Sequence, residues 1–492
     1  MMMLPARCVA TMSLAMLAGC NLAPVYDPPH FVVPDSYQGS GVFHVAHPDD
    51  GLSSRGDWWV LFNDPQLNEL EEQLNTANPT LQAAAETYTQ ARALAAEAAS
   101  SLYPQVAAQA QSSYNRESAH RLFGTSPVAE EASSNQIGAT ASWEPDFWDA
   151  IRNSAHAQKR LAQASAADLA GVRLSLQAEL ANDYIAVRGL DAEREVLRET
   201  IETYQKAVDV ARLRTEGQIA SGLDLARSLS ELKVAQAQET ETALQRDLMQ
   251  HAVAVLIGAI SSSFAIQPAK EFELKPPQFP PQLPSELLQR RPDIASAERQ
   301  MAAANASIGV ARAAFYPHIV FGGNAGFEDT ALRLLSLPNS LWSIGADATL
   351  PLFEGGLRRA ELLHARSQYA QTRDNYRATV LAAFQDVEDG LSLSQRLATE
   401  VAQQQEASDQ ATQALSISTM LYSDGLDDYL NVAVAQVQAL TVRTSEVQLQ
   451  IRELQASVSL IRALGGGWTV RALPSEGQTL PLGAKKMDIT SR

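Results

Sequence analysis

Residues 190–211 read LDAEREVLRETIETYQKAVDVA, and this stretch decides the architecture. Counting from Leu190, apolar side chains recur at Leu197, Ile201, Tyr204, Val208 and Ala211, at intervals of seven, four, three, four and three. That heptad rhythm puts them on one stripe of an α-helix. The helical signal spreads well beyond the stretch. From Ser154 to Thr215 there is no Pro, the only Gly are Gly171 and Gly189, and Ala, Leu, Gln, Glu and Arg predominate, all strong helix formers. At 1.5 Å per residue, about 60 residues make a rod of roughly 90 Å, about three times the hydrocarbon thickness of a bilayer. The run breaks at Glu216-Gly217-Gln218-Ile219-Ala220-Ser221-Gly222 and resumes as a return helix, Asp224–Ile257. The plan recurs over Leu357–Leu464, broken at Tyr422-Ser-Asp-Gly-Leu-Asp-Asp428.

Each helical hairpin is preceded by two strands. Regular structure starts near Asp57-Trp58-Trp59, an aromatic pair read as packing. Pro65 suits the first turn of a helix, and one Ala-rich helix is expected over Gln66–Leu102, before Tyr103-Pro104. Beyond Pro104 the period becomes two: Val106, Ala108, Ala110, Ser112 and Tyr114 share one side. After a polar stretch, Asn115–Asn135, the residues Ile137, Ala139, Ala141 and Trp143 do the same. Period two is the strand signature, and about ten residues suffice for a tilted strand to cross an outer membrane. In the second half a helix ending at Tyr316-Pro317 leads to a strand with Ile319, Phe321, Gly323, Ala325 and Phe327 on one side. A loop over Glu328–Leu341 and a strand with Trp342, Ile344, Ala346, Ala348 and Leu350 follow. Pro145-x-Phe147 recurs as Pro351-x-Phe353, and a Pro-dense linker around 268–284 divides the halves. The chain is a tandem repeat of helix, strand, strand, long helix, turn, helix.

Arg7, the apolar run Val9–Ala18 and Leu17-Ala18-Gly19-Cys20 form a targeting segment, too short to span a membrane. Leu-Ala-Gly-Cys resembles the bacterial lipobox, which implies cleavage before Cys20 and lipidation of its thiol. Asn21 follows, where an Asp would favour inner-membrane retention. Cleavage removes Cys8, the only other Cys, so the mature chain has no internal disulfide and depends on burial and oligomer contacts. Asn21–Gly56, rich in Pro, Tyr, His and Gly, reads as an extended segment laid over the folded body or as a tether from the lipid.

A formal charge of −18 argues against nucleic acid as a partner. The 8 His are scattered, with no metal-ligand spacing. Gly322-Gly323-x-x-Gly326 sits between strands and so is no dinucleotide loop, Gly465-Gly466-Gly467 reads as a helix cap, and Ser261–Ser263 lacks a paired base. No catalytic, metal or cofactor site is expected, apart from the covalent lipid on Cys20. No stretch has the apolar length of a spanning helix, and four strands with an apolar face cannot close a barrel in one chain. An open sheet would leave unpaired backbone in lipid. Strands from several subunits could close it, with the helices continuing the wall inward. The two shorter helices, Gln66–Leu102 and Asp224–Ile257, stacked end to end, would match one long helix.

At Leu288-x-Arg290-Arg291-Pro292-Asp293-Ile294-x-x-Ala297-Glu298 the chain resembles the outer membrane factor family, TolC-like efflux ducts, in its NodT-type lipoprotein branch. Trp58-Trp59 with Phe62-x-Asp64-Pro65, Ile308-Gly309-x-Ala311, Pro351-Leu-Phe-Glu-Gly-Gly356 and Ala463-Leu-Gly-Gly-Gly-Trp468 support it. The resemblance implies a homotrimer with a twelve-stranded outer-membrane β-barrel continued by a periplasmic α-helical barrel. It also implies a periplasmic adaptor and an inner-membrane pump, of RND type, as partners. The expected organisation is a signal peptide (1–19), an extended segment from the lipidated Cys (20–64), repeats at 65–267 and 285–468 around the linker 268–284, and a tail (469–492). The polar turns are the expected gate. By matching positions, Leu430 corresponds to the family's apolar constriction, Asp224 and Arg227 to polar links, and Tyr422 to a residue tying the inner helices. Family members often carry Asp where this chain has Val434, so either the aperture is more apolar or the acidic ring moves to Asp427 and Asp428. Helix capping is the plainer reading of the turn carboxylates. A duct for type I protein secretion and a periplasmic coiled-coil scaffold are the alternative functions; the scaffold fails if the strands are real.

Overall fold

Leu197, Tyr204, Val208 and Ala211 are buried along one face of a very long helix, as the heptad spacing requires. The computed structural model describes residues 21–31, 56–116, 118, 131–269, 274–277 and 287–480. The targeting segment, Cys20 and much of the Pro-dense linker lie outside these. In chain order the principal elements are α1 (Pro65–Ala77), α2 (Pro79–Ser100), β1 (Gln105–Arg116), β2 (Glu131–Trp143), α3 (Ala150–Glu216) and α4 (Gly222–Leu256), then α5 (Pro292–Ala313), β3 (His318–Asp329), β4 (Ser340–Thr349), α6 (Leu357–Ser423) and α7 (Tyr429–Ala463). The repeat is metrically close: α3 and α6 each have 67 residues, α4 and α7 each 35. A 67-residue helix is about 100 Å long.

The stretch read as one helix over Gln66–Leu102 is two. Pro79 has no N–H to continue the ladder of α1 and disfavours helical geometry at Asn78, which sits at φ −67°, ψ 120°. Asn78 Oδ1 then accepts from Leu81 N at 2.8 Å and caps α2. Its Nδ2 donates to the Leu256 carbonyl at the end of α4, 2.7 Å away. This butts α2 against α4, end to end. The second repeat has the same joint, where Arg291 Nη1 donates to the Ala463 carbonyl at 3.2 Å and seats α5 on α7. A glycine in the left-handed region closes each: at Gly258 (φ +70°) a Cβ would lie 2.6 Å from Ala77 O, and at Gly465 (φ +90°) 2.0 Å from Arg290 O. One chain is therefore a four-column wall, jointed α4–α2, continuous α3, jointed α7–α5 and continuous α6. The α3 column packs on α2, α4, α5 and α7, and α6 on α5 and α7.

The sheet runs β1-β2-β3-β4, every pair antiparallel. The strands extend further than their apolar periods suggest, taking in Asn115–Arg116, Glu131–Asn135 and Glu328–Asp329 from the expected loops. The register superposes the four alternating faces. Val106, Ala141, Gly323 and Ile344 form one row, Ala139, Ala325 and Trp342 another, and Ile137 pairs with Phe327. The opposite face carries Gln111, Gln136 and Glu328 in one row and Thr140, Asn324 and Ser343 in another. Trp342 and Ile344 are 76% and 82% exposed in the single chain. Among the described residues no strand lies beside the outer edges of β1 and β4. At the base of the sheet Trp148 stacks on Tyr316 at 4.6 Å and donates from Nε1 to the Pro317 carbonyl at 2.9 Å, tying strands to helices.

The main core lies near the helix joints, where Trp58, Trp59, Phe62, Leu67 and Leu74 pack on Leu180, Tyr184 and Ile185 of α3 and on Val458 and Ile461 of α7. The aromatic pair is packing. Within this belt Arg246 donates from Nε to Asp191 Oδ1 at 2.5 Å and from Nη2 to the Ile266 carbonyl at 2.7 Å. Residues 21–31 form a strap on the second repeat. Asn153 Nδ2 donates to Asn21 Oδ1 (3.2 Å), Arg312 Nη1 to Leu22 O (3.0 Å), Asn305 Nδ2 to Pro24 O (2.9 Å) and Tyr26 Oη to Glu298 Oε1 (2.5 Å). The strap thus starts at the first turn of α3, beside the sheet, and descends α5 toward the joint.

Glu71 of α1 is fully buried, and neither carboxylate oxygen has a hydrogen-bond partner among the described residues. Burial pushes its pKa well above the ordinary value of 4.5. The native state then holds a proton that the unfolded chain gives up near pH 4.5. The stability from Glu71 is complete below that pH and falls as pH rises through the raised value. Glu71→Gln, neutral at every pH, should raise the thermal midpoint at pH 7 relative to the parent and lose that advantage at pH 4. Midpoints measured across pH 4–8 check it; equal midpoints at pH 7 count against it.

Candidate functional site at the helical turns

The two hairpin turns lie at the end of the wall remote from the sheet. In the first, Ser221 caps α4, its Oγ accepting from Leu223 N at 3.2 Å, and Gln218 takes the left-handed conformation (φ 57°). Asp224 stands half-buried in the first turn of α4, where the helix dipole favours a carboxylate. Among the described residues neither Asp224 nor Arg227 makes a side-chain hydrogen bond or ion pair within the chain.

In the second turn Gly425 (φ +78°) reverses the chain. Asp427 Oδ1 accepts from Asn431 Nδ2 at 2.7 Å and from Asp428 N at 2.8 Å, a local bracing of the start of α7. Asp424 and Asp428 are exposed. Leu430 and Val434, one helical turn apart on α7, are 51% and 62% exposed, so they share one apolar face of that helix.

Tyr422 is buried, and its ring meets that of Tyr429 edge-on at 5.4 Å. Ala207 of α3 and Val432 of α7 complete this small core. Tyr429 Oη donates to Gln436 Oε1 at 3.2 Å, and burial above all, with the charges of Glu231 and Asp224, pushes its pKa up to about 12. Burial above all pushes the Tyr422 hydroxyl's pKa above its ordinary value, while the neighbouring Arg214 side chain pulls it down. What holds Tyr422 is Arg214, at the end of α3. Its guanidinium lies over the Tyr422 ring, 4.6 Å from the centroid, and Nη1 donates to the Tyr422 carbonyl at 2.5 Å.

Sequence reasoning placed Tyr422 and Asp224 at the turns and missed Arg214. A basic residue in the last turn of a helix is the ordinary response to the helix dipole, so nothing local marks it. Asp427 and Asp428, offered as an acidic ring, divide: Asp427 is bound into its own turn and Asp428 stands free at the N-cap of α7 without a side-chain cap.

A sheet with one apolar and one polar face, continued at one end by a helical wall about 100 Å long, has the form of one segment of a channel wall. Among the described residues no helix is long and apolar enough to cross a membrane. The chain belongs to the Outer membrane efflux protein family, whose model matches residues 70–259 and 283–466, once in each half. It is 30% identical over 429 residues to the pyoverdine export outer membrane protein OpmQ of Pseudomonas aeruginosa, covering 86% of this chain and 90% of that one. To the cation efflux system protein CusC of Escherichia coli it is 29% identical over 461 residues, 92% of this chain and 96% of the other. The CmeC outer membrane channel of Campylobacter jejuni shares the fold, with a TM-score of 0.84 at 21% identity over 94% of this chain and 99% of that structure. The protein is an outer-membrane efflux channel, the exit duct of an efflux system.

Proposed function

We propose that three copies close their sheets edge to edge into a twelve-stranded barrel and their four-column walls into a tube. In this reading the tube docks on a periplasmic adaptor and an inner-membrane pump and passes drugs or other small molecules outward without chemistry. The observation that carries it is the sheet: its apolar face is continuous across all four strands, and both edges await partners. Unpaired edges are prohibitive in lipid, so the chain requires further copies of itself; the family resemblance supports three. Relatives named for pyoverdine export and for cation efflux support a range of small cargo.

The strap supports lipidation of Cys20. Asn21 contacts Asn153 on the fourth residue of α3, so a lipid on the preceding residue starts at the sheet end of the wall, where the membrane is. The expected divisions at 19/20, 64/65, 267/268, 284/285 and 468/469 belong to the same reading. At the other end the turns form the resting gate. With Leu430 and Val434 exposed on one face and Asp427 bound locally, the constriction is apolar rather than an acidic ring.

Native mass measurement of the detergent-solubilised, lipidated protein should give three copies, and the same sample should form conducting steps in planar bilayers. A two- or four-copy mass overturns the trimer, and a sample that never conducts overturns the duct.

A further inference from the structure

We propose that an acyl chain carried by Cys20 seats in a cavity of the protein itself, under the base of the sheet; this rests on the reading that Cys20 is lipidated. The cavity, of about 480 Å³, lies where the strands meet the helices. Phe147 and Ala150 line it beside the start of α3, and Val310, Ala313 and Ala314 at the end of α5. Ile319, the lowest residue on the apolar side of β3, joins them. The volume is within the range of small-molecule sites.

The strap leads into this cavity. Asn153 Nδ2 donates to Asn21 Oδ1 at 3.2 Å, and Arg312 Nη1 to the Leu22 carbonyl at 3.0 Å. A Cβ at Gly309 would lie 2.9 Å from Ala23 Cβ, so the head of the strap lies directly on α3 and α5. Ala150 is one turn from Asn153 toward the sheet, and Ala313 is one turn from Gly309 in the same direction. An extended residue spans about 3.5 Å and a helical turn about 5.4 Å. The thiol of Cys20, one residue before Asn21, is therefore within reach of the cavity's lower rim. A chain attached there that continues the line of the strap enters between Ala150 and Ala313.

The charged groups around the cavity are already matched. His318 Nε2 lies 2.7 Å from Glu144 Oε2, and Arg358 Nη1 lies 3.0 Å from Glu354 Oε2. Asp146 accepts from Ile151 N at 3.1 Å and from Arg152 N at 2.7 Å. What remains is apolar surface, where an occupant need bring no hydrogen bond and methylenes leave water on entering. A lone acyl chain is a weak membrane anchor, and in the proposed barrel the strands already hold the protein in the bilayer. Seated in the wall, the chain instead fixes the head of the strap at the base of the sheet.

The test feeds cells a fatty acid bearing a photoreactive diazirine, irradiates the purified full-length protein and maps the crosslinked peptides by mass spectrometry. The parent, which needs no substitution, should show the Cys20 lipid joined to peptides containing Phe147–Ala150 and Val310–Ile319. Ala314→Phe, or Val310→Phe one turn away, fills the cavity and should lose most of these crosslinks while Cys20 stays lipidated. Cys20→Ala, exported behind an ordinary cleavable signal, should lose them all. If they persist in Cys20→Ala, a free phospholipid is the occupant and the proposal falls. If Cys20 is lipidated but its chain joins only surrounding lipid or detergent, the seat is wrong and the lipidation stands. A mature protein without lipid on Cys20 overturns the lipidation itself, and the seat with it.

Discussion

Replacing Leu430 and Val434 together by alanine should enlarge the resting conductance of the channel on the order of two- to fivefold, because a narrow apolar constriction resists wetting and a wider one does not. Both side chains stand exposed on one face of α7 just past the second turn, with none of the described residues covering them. In a symmetric tube such a face meets its copies around the axis. Val434→Asp tests the same site from the other side. A carboxylate repeated in each copy wets the constriction and favours cations, so the reversal potential in a salt gradient should shift toward that of the cation. Cells carrying the double alanine variant should also become sensitive to a bulky hydrophilic antibiotic that an intact outer membrane excludes. Unchanged conductance and unchanged selectivity together would place the constriction elsewhere.

The second large effect concerns stability. Asp191 and Arg246 have side chains only 2% and 6% exposed, and Asp191 also accepts from Ala269 N at 3.2 Å. They fasten the segment around residues 266–269 to α3 and α4. Arg246→Ala leaves the Ile266 carbonyl unsatisfied and the buried Asp191 with only Arg188, 3.6 Å away, as a cation, and should cost about 3 kcal/mol. Replacing both partners with apolar residues of similar volume, Asp191→Leu with Arg246→Met, should recover much of that loss, since the pair itself contributes little beyond satisfying its own charges. Thermal midpoints of the two variants decide it. If the double variant is no more stable than Arg246→Ala, the pair is worth more than its desolvation.

Much of the fold was legible because it rests on periodicities: 3.5 along α3 and two along each strand are local signals. The joint at Pro79 was legible too and was passed over. Pro79 and Pro292 are 213 residues apart, the same spacing as Pro104 and Pro317, so the helix start at Arg291-Pro292 had its counterpart at Asn78-Pro79. High Ala content masked one Pro. The ends of the strands were obscured for a different reason. Arg116, Glu131 and Glu328 are polar, and ladder pairing rather than burial keeps them extended. Arg214 was beyond the sequence altogether. Its partner is 208 residues away, and the contact exists only because two helix ends meet in space. The Arg290-Arg291-Pro292-Asp293 stretch identified the family, and its physical role proved structural: Arg291 binds Asp293 at 2.7 Å, Asp386 at 2.9 Å and the end of α7.

The strap on α5 has a consequence for the order in which this molecule can be made. Its hydrogen bonds join residues 272, 281 and 290 positions apart, and contacts that close such long loops form late. The groove that receives residues 21–31 does not exist until the second repeat has been synthesised and α5 has seated on α7. Residues 21–31 are thus synthesised early yet are among the last to find their place on the wall.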